Sequence, residues 1–388
     1  DVYKRQELSM SKTSNRGPSP SCLTKYMLIA KAGGRCQFSG CNKALFIDSV
    51  TLAKFNNTNI AHIVASAPDG PRGNDNSIEL SDKLENLMLL CQEHHALIDS
   101  RPEEYTIKRL IDMKEKQEQE VEFLLNGMNY PKVDVVLFEA PIKNKIDINI
   151  DYSQAVSAVR SNKKNPASTH GIIIKINCSA NYKSEEYWNM VEHELKKQFR
   201  YTIFNLYQNE PNLQLAIFPL APIPLIAKLG SLLGDKKVID IYQKFRIPDT
   251  WNWLENKITN SFVTERLMIN KGKRIALVIS LTAEIDFSRV TKVFESDIIY
   301  HIRAKRIGVD CIKSLDDLKA FWQEFQLTCD HIKNNDKANR VSVFPAMPVS
   351  AAFELGRRHM PAVHPILEIY DDDDGFFKTL EIGGTNND

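Results

Sequence analysis

FPLAPIPLIAKLG at residues 218–230 and FPAMPVSAAFELG at residues 344–356 follow one pattern. Phe218-Pro219, Pro222 and Leu229-Gly230 recur as Phe344-Pro345, Pro348 and Leu355-Gly356, 126 residues further on. Each copy follows an apolar, strand-like run and opens a helical one. Each is followed by a second strand-like run containing Ile-Tyr, at Ile241-Tyr242 and Ile369-Tyr370. Proline fixes φ and removes an amide donor, so both turns are rigid. The recurrence reads either as a packing solution shared by two strand-to-helix turns or as two homologous halves side by side.

Outward from these turns, the pattern predicts strands at 171–178, 213–218, 238–242, 273–281, 340–344 and 365–370. Helices are expected at 184–199, 223–233 and 349–359. Strands alternating with helices predict a parallel-sheet α/β architecture.

The chain has 388 residues, enough for two or three domains of roughly 150 residues each. With 43% hydrophobic and 26% charged residues, a disordered or fibrous protein is excluded. Fifty basic and 49 acidic residues give a net charge of +1, so any nucleic-acid-binding face is local. No apolar run reaches the roughly 18 residues of a membrane span. The absence of an apolar signal segment leads us to expect a cytoplasmic location. Seven scattered cysteines are expected as thiols or metal ligands and not as a disulfide framework.

The N-terminal third has a different texture. Residues 1–21 are expected to be a lead, artefactual over 1–9 and Ser/Pro/Gly-rich and disordered over 11–21. A short helix is predicted over 22–32 and a longer amphipathic one over 103–125. Residues 128–165 read as a connector. Between the helices lie Cys36-x4-Cys41 and Cys91-x2-His94. Two close pairs of soft or borderline ligands supply the tetrahedral set that structural zinc takes. The competing reading is unrelated thiols beside a surface histidine. Between the pairs come Asn59-Ile60-Ala61-His62-Ile63-Val64, the turn Gly70-Pro71-Arg72-Gly73 and Asn86. His95 directly follows the last zinc-ligand candidate, and Asp99 lies one helical turn beyond it.

These residues resemble the His-Asn-His (HNH, ββα-metal) nuclease family: GGRCQFSGCN…AHIVA…GPRG…ENLMLLCQEHHALID carries the likeness. The resemblance implies an α+β, zinc-containing nuclease over 22–127. It makes His62 the general base toward water and Asn86 the residue fixing the loop of the base. His95 becomes the ligand of a catalytic magnesium or manganese ion. Many members carry Asp or His directly before the base, where this chain has Ala61. A carboxylate must then assist His95; Asp99 is the expected one, with Asp48 and Asp69 as alternatives.

Residues 166–388 resemble the SAVED domain, two fused Rossmann-like (CARF-like) halves, with a boundary expected near 265. An HNH nuclease joined to a SAVED domain is similar to the effectors of CBASS antiphage systems. That similarity implies bacterial, cytoplasmic cleavage of double-stranded DNA, switched on by a cyclic di- or trinucleotide, in a homo-oligomer that enlarges on activation. Ligands of open α/β sheets sit beyond the carboxyl ends of strands. Ser179, Tyr182, Pro222, Trp253, Ser280, Thr282, Pro345, Met347, Pro348 and Arg357 are therefore candidate ligand contacts, with Trp251 as a further stacking candidate. A restriction-type HNH nuclease whose C-terminal half reads modified DNA is the competing function, and a non-enzymatic zinc module a third.

Overall fold

A computed structural model describes residues 15–48, 50–143, 146–210, 212–254 and 259–384. The expected artefact over 1–9 lies outside these residues. The chain divides into two compact units, residues 1–129 and 130–388. Among the described residues no helix is long and apolar enough to cross a membrane.

The first unit contains helix α1 (Cys22–Lys31), strand β1 (Asn59–His62), a short α2 (Ser77–Leu80), β2 (Leu87–Leu90), α3 (Gln92–Ser100) and α4 (Ile107–Asn126). Strands β1 and β2 pair antiparallel, with His62 opposite Leu87 and Asn59 opposite Leu90. Strand β2 is Leu-Met-Leu-Leu and fully buried. With Leu28, Leu45, Ile98 and Leu110 it forms a small core. Helix α4 starts later than the expected residue 103, because the Thr106 hydroxyl caps it by accepting from the Arg109 amide. Residues 15–21 are not a disordered lead. Arg16 Nε donates to Ser66 Oγ at 2.7 Å, and the Gly17 amide donates to the Ser66 carbonyl. Ser21 caps α1.

The expected connector is also corrected. Residues 132–139 form β3, which pairs in parallel with both β5 (Ile172–Lys175) and β6 (Leu215–Leu220). The second unit thus begins at Tyr130. Its first half continues with α5 (Tyr152–Ser161), a two-residue β4 (Asn165–Pro166), α6 (Glu185–Phe199), a π-helical turn (Arg200–Phe204), α7 (Asn205–Asn209), α8 (Ile223–Leu233) and β7 (Ile239–Ile241). The second half holds β8 (Phe262–Met268), β9 (Ile275–Ser280), α9 (Phe287–Thr291), β10 (Ile298–Ala304), α10 (Leu315–Asn334), β11 (Arg340–Ala346), α11 (Val349–Arg357), β12 (Ile366–Asp372) and β13 (Phe376–Ile382). Since β8 joins the second sheet as an antiparallel edge, this half starts a few residues before the expected boundary.

Both halves share one parallel strand order. In the first it is β5-β3-β6-β7 and in the second β10-β9-β11-β12. The pairings are equivalent residue by residue: Glu139 lies opposite Leu220, and Ser280 opposite Ala346, with Leu220 and Ala346 126 apart. Each sheet is apolar on both faces, as parallel strands require. One continuous core runs from Val136, Ile174 and Ile217 through α6, α8, α10 and α11 to Leu277, Val343 and Ile382. The outer face of the first sheet packs on α5 and Trp251, and that of the second on Ile285 and Val290.

The repeated Leu-Gly marks where α8 and α11 cross. A Cβ on Gly230 would lie 2.2 Å from the Phe353 carbonyl oxygen, and one on Gly356 1.8 Å from that of Ala227. The two backbones therefore touch, and only glycine fits at either point.

Candidate functional site

In the first unit the turn at Cys36–Cys41 and the start of α3 meet. Sγ of Cys36, Cys41 and Cys91 and Nδ1 of His94 all lie within 4.8 Å of one another. Sγ of Cys91 is 3.1 Å from Nδ1 of His94, and Sγ of Cys36 3.6 Å. Phe38 stacks on the His94 ring at 4.0 Å and fixes its plane. Burial pushes the Cys36 thiol up to about 12, so a thiolate there requires a cation. Three thiols and one imidazole this close fit tetrahedral zinc, whose bonds of about 2.1–2.3 Å set such separations. Among the described residues this is the one group of three or more metal-ligating side chains so gathered.

His62 closes β1, half-buried. Its Nε2–H donates to the Ser81 carbonyl at 3.0 Å, which leaves Nδ1 as the lone-pair nitrogen. Burial is the main influence lowering its pKa, and the positive charge of Arg16 adds to it. The imidazole is therefore neutral at physiological pH, the form a general base needs. Asn86 is buried and bonds both ways to the residue two beyond His62: Oδ1 accepts from the Val64 amide at 2.7 Å, and Nδ2 donates to its carbonyl at 2.9 Å. Nδ2 also donates to the Leu80 carbonyl. The asparagine thus holds the strand end and the loop carrying Ser81 together.

On α3, His95 Nε2 stands 3.6 Å from Asp99 Oδ2, both part-exposed. That separation is long for a hydrogen bond and suits two ligands at about 2.1 Å from a shared cation. The Arg72 guanidinium links the two elements, reaching the His62 carbonyl at 3.5 Å and Asp99 Oδ1 at 2.8 Å. Ala61 points into the core and offers no ligand. Asp48 accepts from the amides of Val50 and Thr51 within its own turn; like His95 and Asp99, neither it nor Asp69 belongs to a group of three or more metal-ligating side chains. Sequence reasoning passed over Arg72, although GPRG was in view. Its guanidinium donates to the carbonyls of Ile63 at 2.7 Å and Ile98 at 2.8 Å and to Asp99 Oδ1 at 2.8 Å.

In the second unit the candidate ligand contacts divide. Ser179 is exposed, and Thr282 and Trp253 are half-buried. Pro222, Pro345, Met347 and Pro348 are buried, with Pro222 and Pro348 as the N-caps of α8 and α11. Four candidates are corrected. Tyr182 is buried and donates to the Asp371 carboxylate. Trp251 lies edge-on against Phe218 in the core. Ser280 is fully buried and bonded to His301 Nε2 at 2.9 Å. Arg357, with a 7% exposed side chain, is paired to Glu354 at 3.0 Å. Beyond the carboxyl end of β10, the loop Arg306–Lys313 lines a cavity of about 310 Å³. Nothing in its sequence had singled this loop out.

Residues 194–382 match the family model described as the SMODS-associated and fused to various effectors sensor domain, SAVED. Among solved structures, the chain is similar to the Acinetobacter baumannii Cap4 SAVED/CARF-domain containing receptor with the cyclic trinucleotide 2'3'3'-cAAA. The identity is 14%, the coverage 79% of this chain and 66% of that one, and the TM-score 0.42. The same receptor with 3'3'3'-cAAA gives 13% identity, 74% and 62% coverage and a TM-score of 0.42. The corresponding receptor of Moraxella osloensis gives 13%, 74% and 60%, and 0.38. This chain thus spans about two-thirds or less of their length. No curated protein sequence matches the chain. By the family match, the C-terminal part of the chain, residues 194–382, carries a SAVED domain.

Proposed function

We propose that the protein is an antiphage effector: a divalent-metal-dependent endonuclease of double-stranded DNA, activated by a cyclic di- or trinucleotide bound to its C-terminal unit. One observation carries the nuclease part. The Ser81 carbonyl holds Nε2–H of His62, and Arg72 ties the His62 carbonyl to Asp99, which stands beside His95. In this reading Nδ1 of His62 takes the proton of a water whose oxygen attacks the phosphorus, and the bond to the 3′ oxygen breaks. Asn86 holds His62 in place. A magnesium or manganese ion on His95 and Asp99 would offset the charge on the phosphate and the leaving oxygen. Zinc on Cys36, Cys41, Cys91 and His94 would be structural. The SAVED match supports the sensing part.

One such site cuts one strand, so cleavage of both needs two chains held close together. Activator binding would enlarge the oligomer, which light scattering with and without activator measures.

The decisive experiment is a DNA-degradation assay with a panel of cyclic di- and trinucleotides, in magnesium, manganese or chelator. Cleavage is expected only with one activator and a divalent cation, and to be lost in His62→Ala by about 10²–10⁴-fold. Full cleavage without any cyclic nucleotide would overturn the sensing part. Near wild-type cleavage by His62→Ala would overturn the assignment of the base.

A further inference from the structure

The turn Ala67–Gly73 leaves β1 and returns toward α3, and its glycines have no room to be anything else. A Cβ on Gly70 would sit 2.6 Å from Cβ of Ala65, and one on Gly73 2.4 Å from the Pro68 carbonyl oxygen. Between them Arg72 adopts φ +58°, a conformation L side chains seldom take. The result of this folding is one buried guanidinium, its side chain 4% exposed. Nε meets the carbonyl of Ile63 and Nη1 that of Ile98. Nη2 meets Asp99 Oδ1 at 2.8 Å and the His62 carbonyl at 3.5 Å. The planar fork is thus shared between the end of the strand bearing His62 and the end of the helix bearing His95 and Asp99.

We propose that Arg72 is a positioning residue of the nuclease site: by holding Oδ1 of Asp99 it aims Oδ2 at the cation position shared with His95, and it ties that helix to the strand of His62. The chemistry is that of an outer partner orienting a metal ligand, whose loss commonly weakens metal binding 10–100-fold. Lysine cannot replace it, since a single ammonium lacks the fork that spans two carbonyls and a carboxylate.

This inference rests on the nuclease reading for its cation site. The test uses the full chain and manganese alone as probe, titrated by its electron paramagnetic resonance signal. Arg72→Gln is expected to weaken manganese binding at least tenfold while zinc content stays at wild-type level. The KM for DNA should be unchanged, with the loss falling on kcat and on the manganese concentration needed. In an Asp99→Ala background, Arg72→Gln should weaken manganese no further, because the group it aims is gone. A scaffold role alone would make the two effects multiply, and that result overturns the proposal. Manganese affinity within twofold of wild type in Arg72→Gln overturns it too. Should the glutamine variant lose its zinc, Arg72→Lys is read in its place; loss of zinc in both makes Arg72 a folding residue and overturns the assignment. A wild-type protein that binds manganese through Asp99, with Arg72 variants weakened, yet cleaves no DNA under any activator sinks the nuclease reading and leaves this one standing.

Discussion

Replacing Gly356 by alanine tests the helix crossing at the centre of the second unit. Two effects oppose each other. Alanine is the better helix former by about 1 kcal/mol, and Gly356 lies within α11. Against this, the new Cβ would stand 1.8 Å from the Ala227 carbonyl oxygen. Ordinary contact begins near 3.4 Å, so the helices must part by about 1.6 Å. A gap of about 0.5–1 Å already forfeits a quarter to a half of each dispersion contact across it. Leu225, Ile226, Leu229, Phe353 and Leu355 all sit in the core beside this crossing. Overpacking of this kind costs about 1–3 kcal/mol and at times more, and a rigid backbone acceptor places this site at the upper end. A net loss of about 3 kcal/mol is expected, or about 6–12 °C in the melting of a unit this size. Scanning calorimetry of the full chain should show the second unit's transition falling by that amount and the first unit's unmoved. Gly230→Ala should behave alike, and the double variant should lose less than the sum, because the helices part only once. Gly234→Ala is the control: it has φ +65° and open space around it, so only backbone strain of about 1–2 kcal/mol applies. A Gly356→Ala protein melting within 2 °C of wild type would refute the close crossing.

Elemental analysis should find about one zinc per chain, and strong chelators or Cys91→Ser should unfold the first unit while leaving the second's transition in place, because so small a core depends on its metal. Cleavage should rise with pH through a midpoint below the ordinary histidine value of about 6.5, since burial lowers the pKa of His62 and only its neutral form accepts a proton; an acid limb centred above that value refutes the assignment. Burial holds the His359 imidazole down to about 4, so the unfolded chain takes up its proton first as pH falls. The second unit should lose about 3 kcal/mol between about pH 6.5 and 4, and urea titrations should find this loss reduced in His359→Asn.

The two halves were legible because their turn is written in residues with backbone consequences: prolines at the helix entry and a glycine where backbones touch. Residues 132–139 were not legible as a strand, although Val133, Val135, Val136, Leu137 and Phe138 are all buried. Their partners lie 33 and more residues away, on strands beginning at Asn165, Ile172 and Leu215, and no local pattern announces such pairing. The edge strand β8 buries only Phe262, half-buries Thr264 and exposes the adjacent Glu265 and Arg266, so it has no period of a half-buried strand and resembles a loop. Helix α10 carries a readable period in Leu318, Phe321, Phe325, Cys329 and Ile332, all buried. In the first unit the ligand spacing carried the Cys/His cluster. Arg72 was missed because a buried arginine looks like a surface one until its carbonyl acceptors are known. Tyr182 and Arg357 failed as ligand contacts for the same reason, their carboxylate partners occupying them inside the protein.

The α8–α11 crossing has a bearing on ancestry. Gly230 meets Phe353 and Gly356 meets Ala227, and adding 126 to the residues on one side of the seam gives those on the other. A surface that meets its own copy in this way is an isologous interface, the kind two identical subunits form about a twofold axis. The chain therefore holds within itself the contact a homodimer of one half would make, with the stoichiometry locked at two. Fusion also frees the copies to differ. Glu139 ends the central strand of one half where Ser280 ends that of the other. A true homodimer must offer both ends of a molecule on its axis the same lining, and so reads it as symmetric. The fused pair is free of that constraint, each half carrying its own residue at the equivalent strand end.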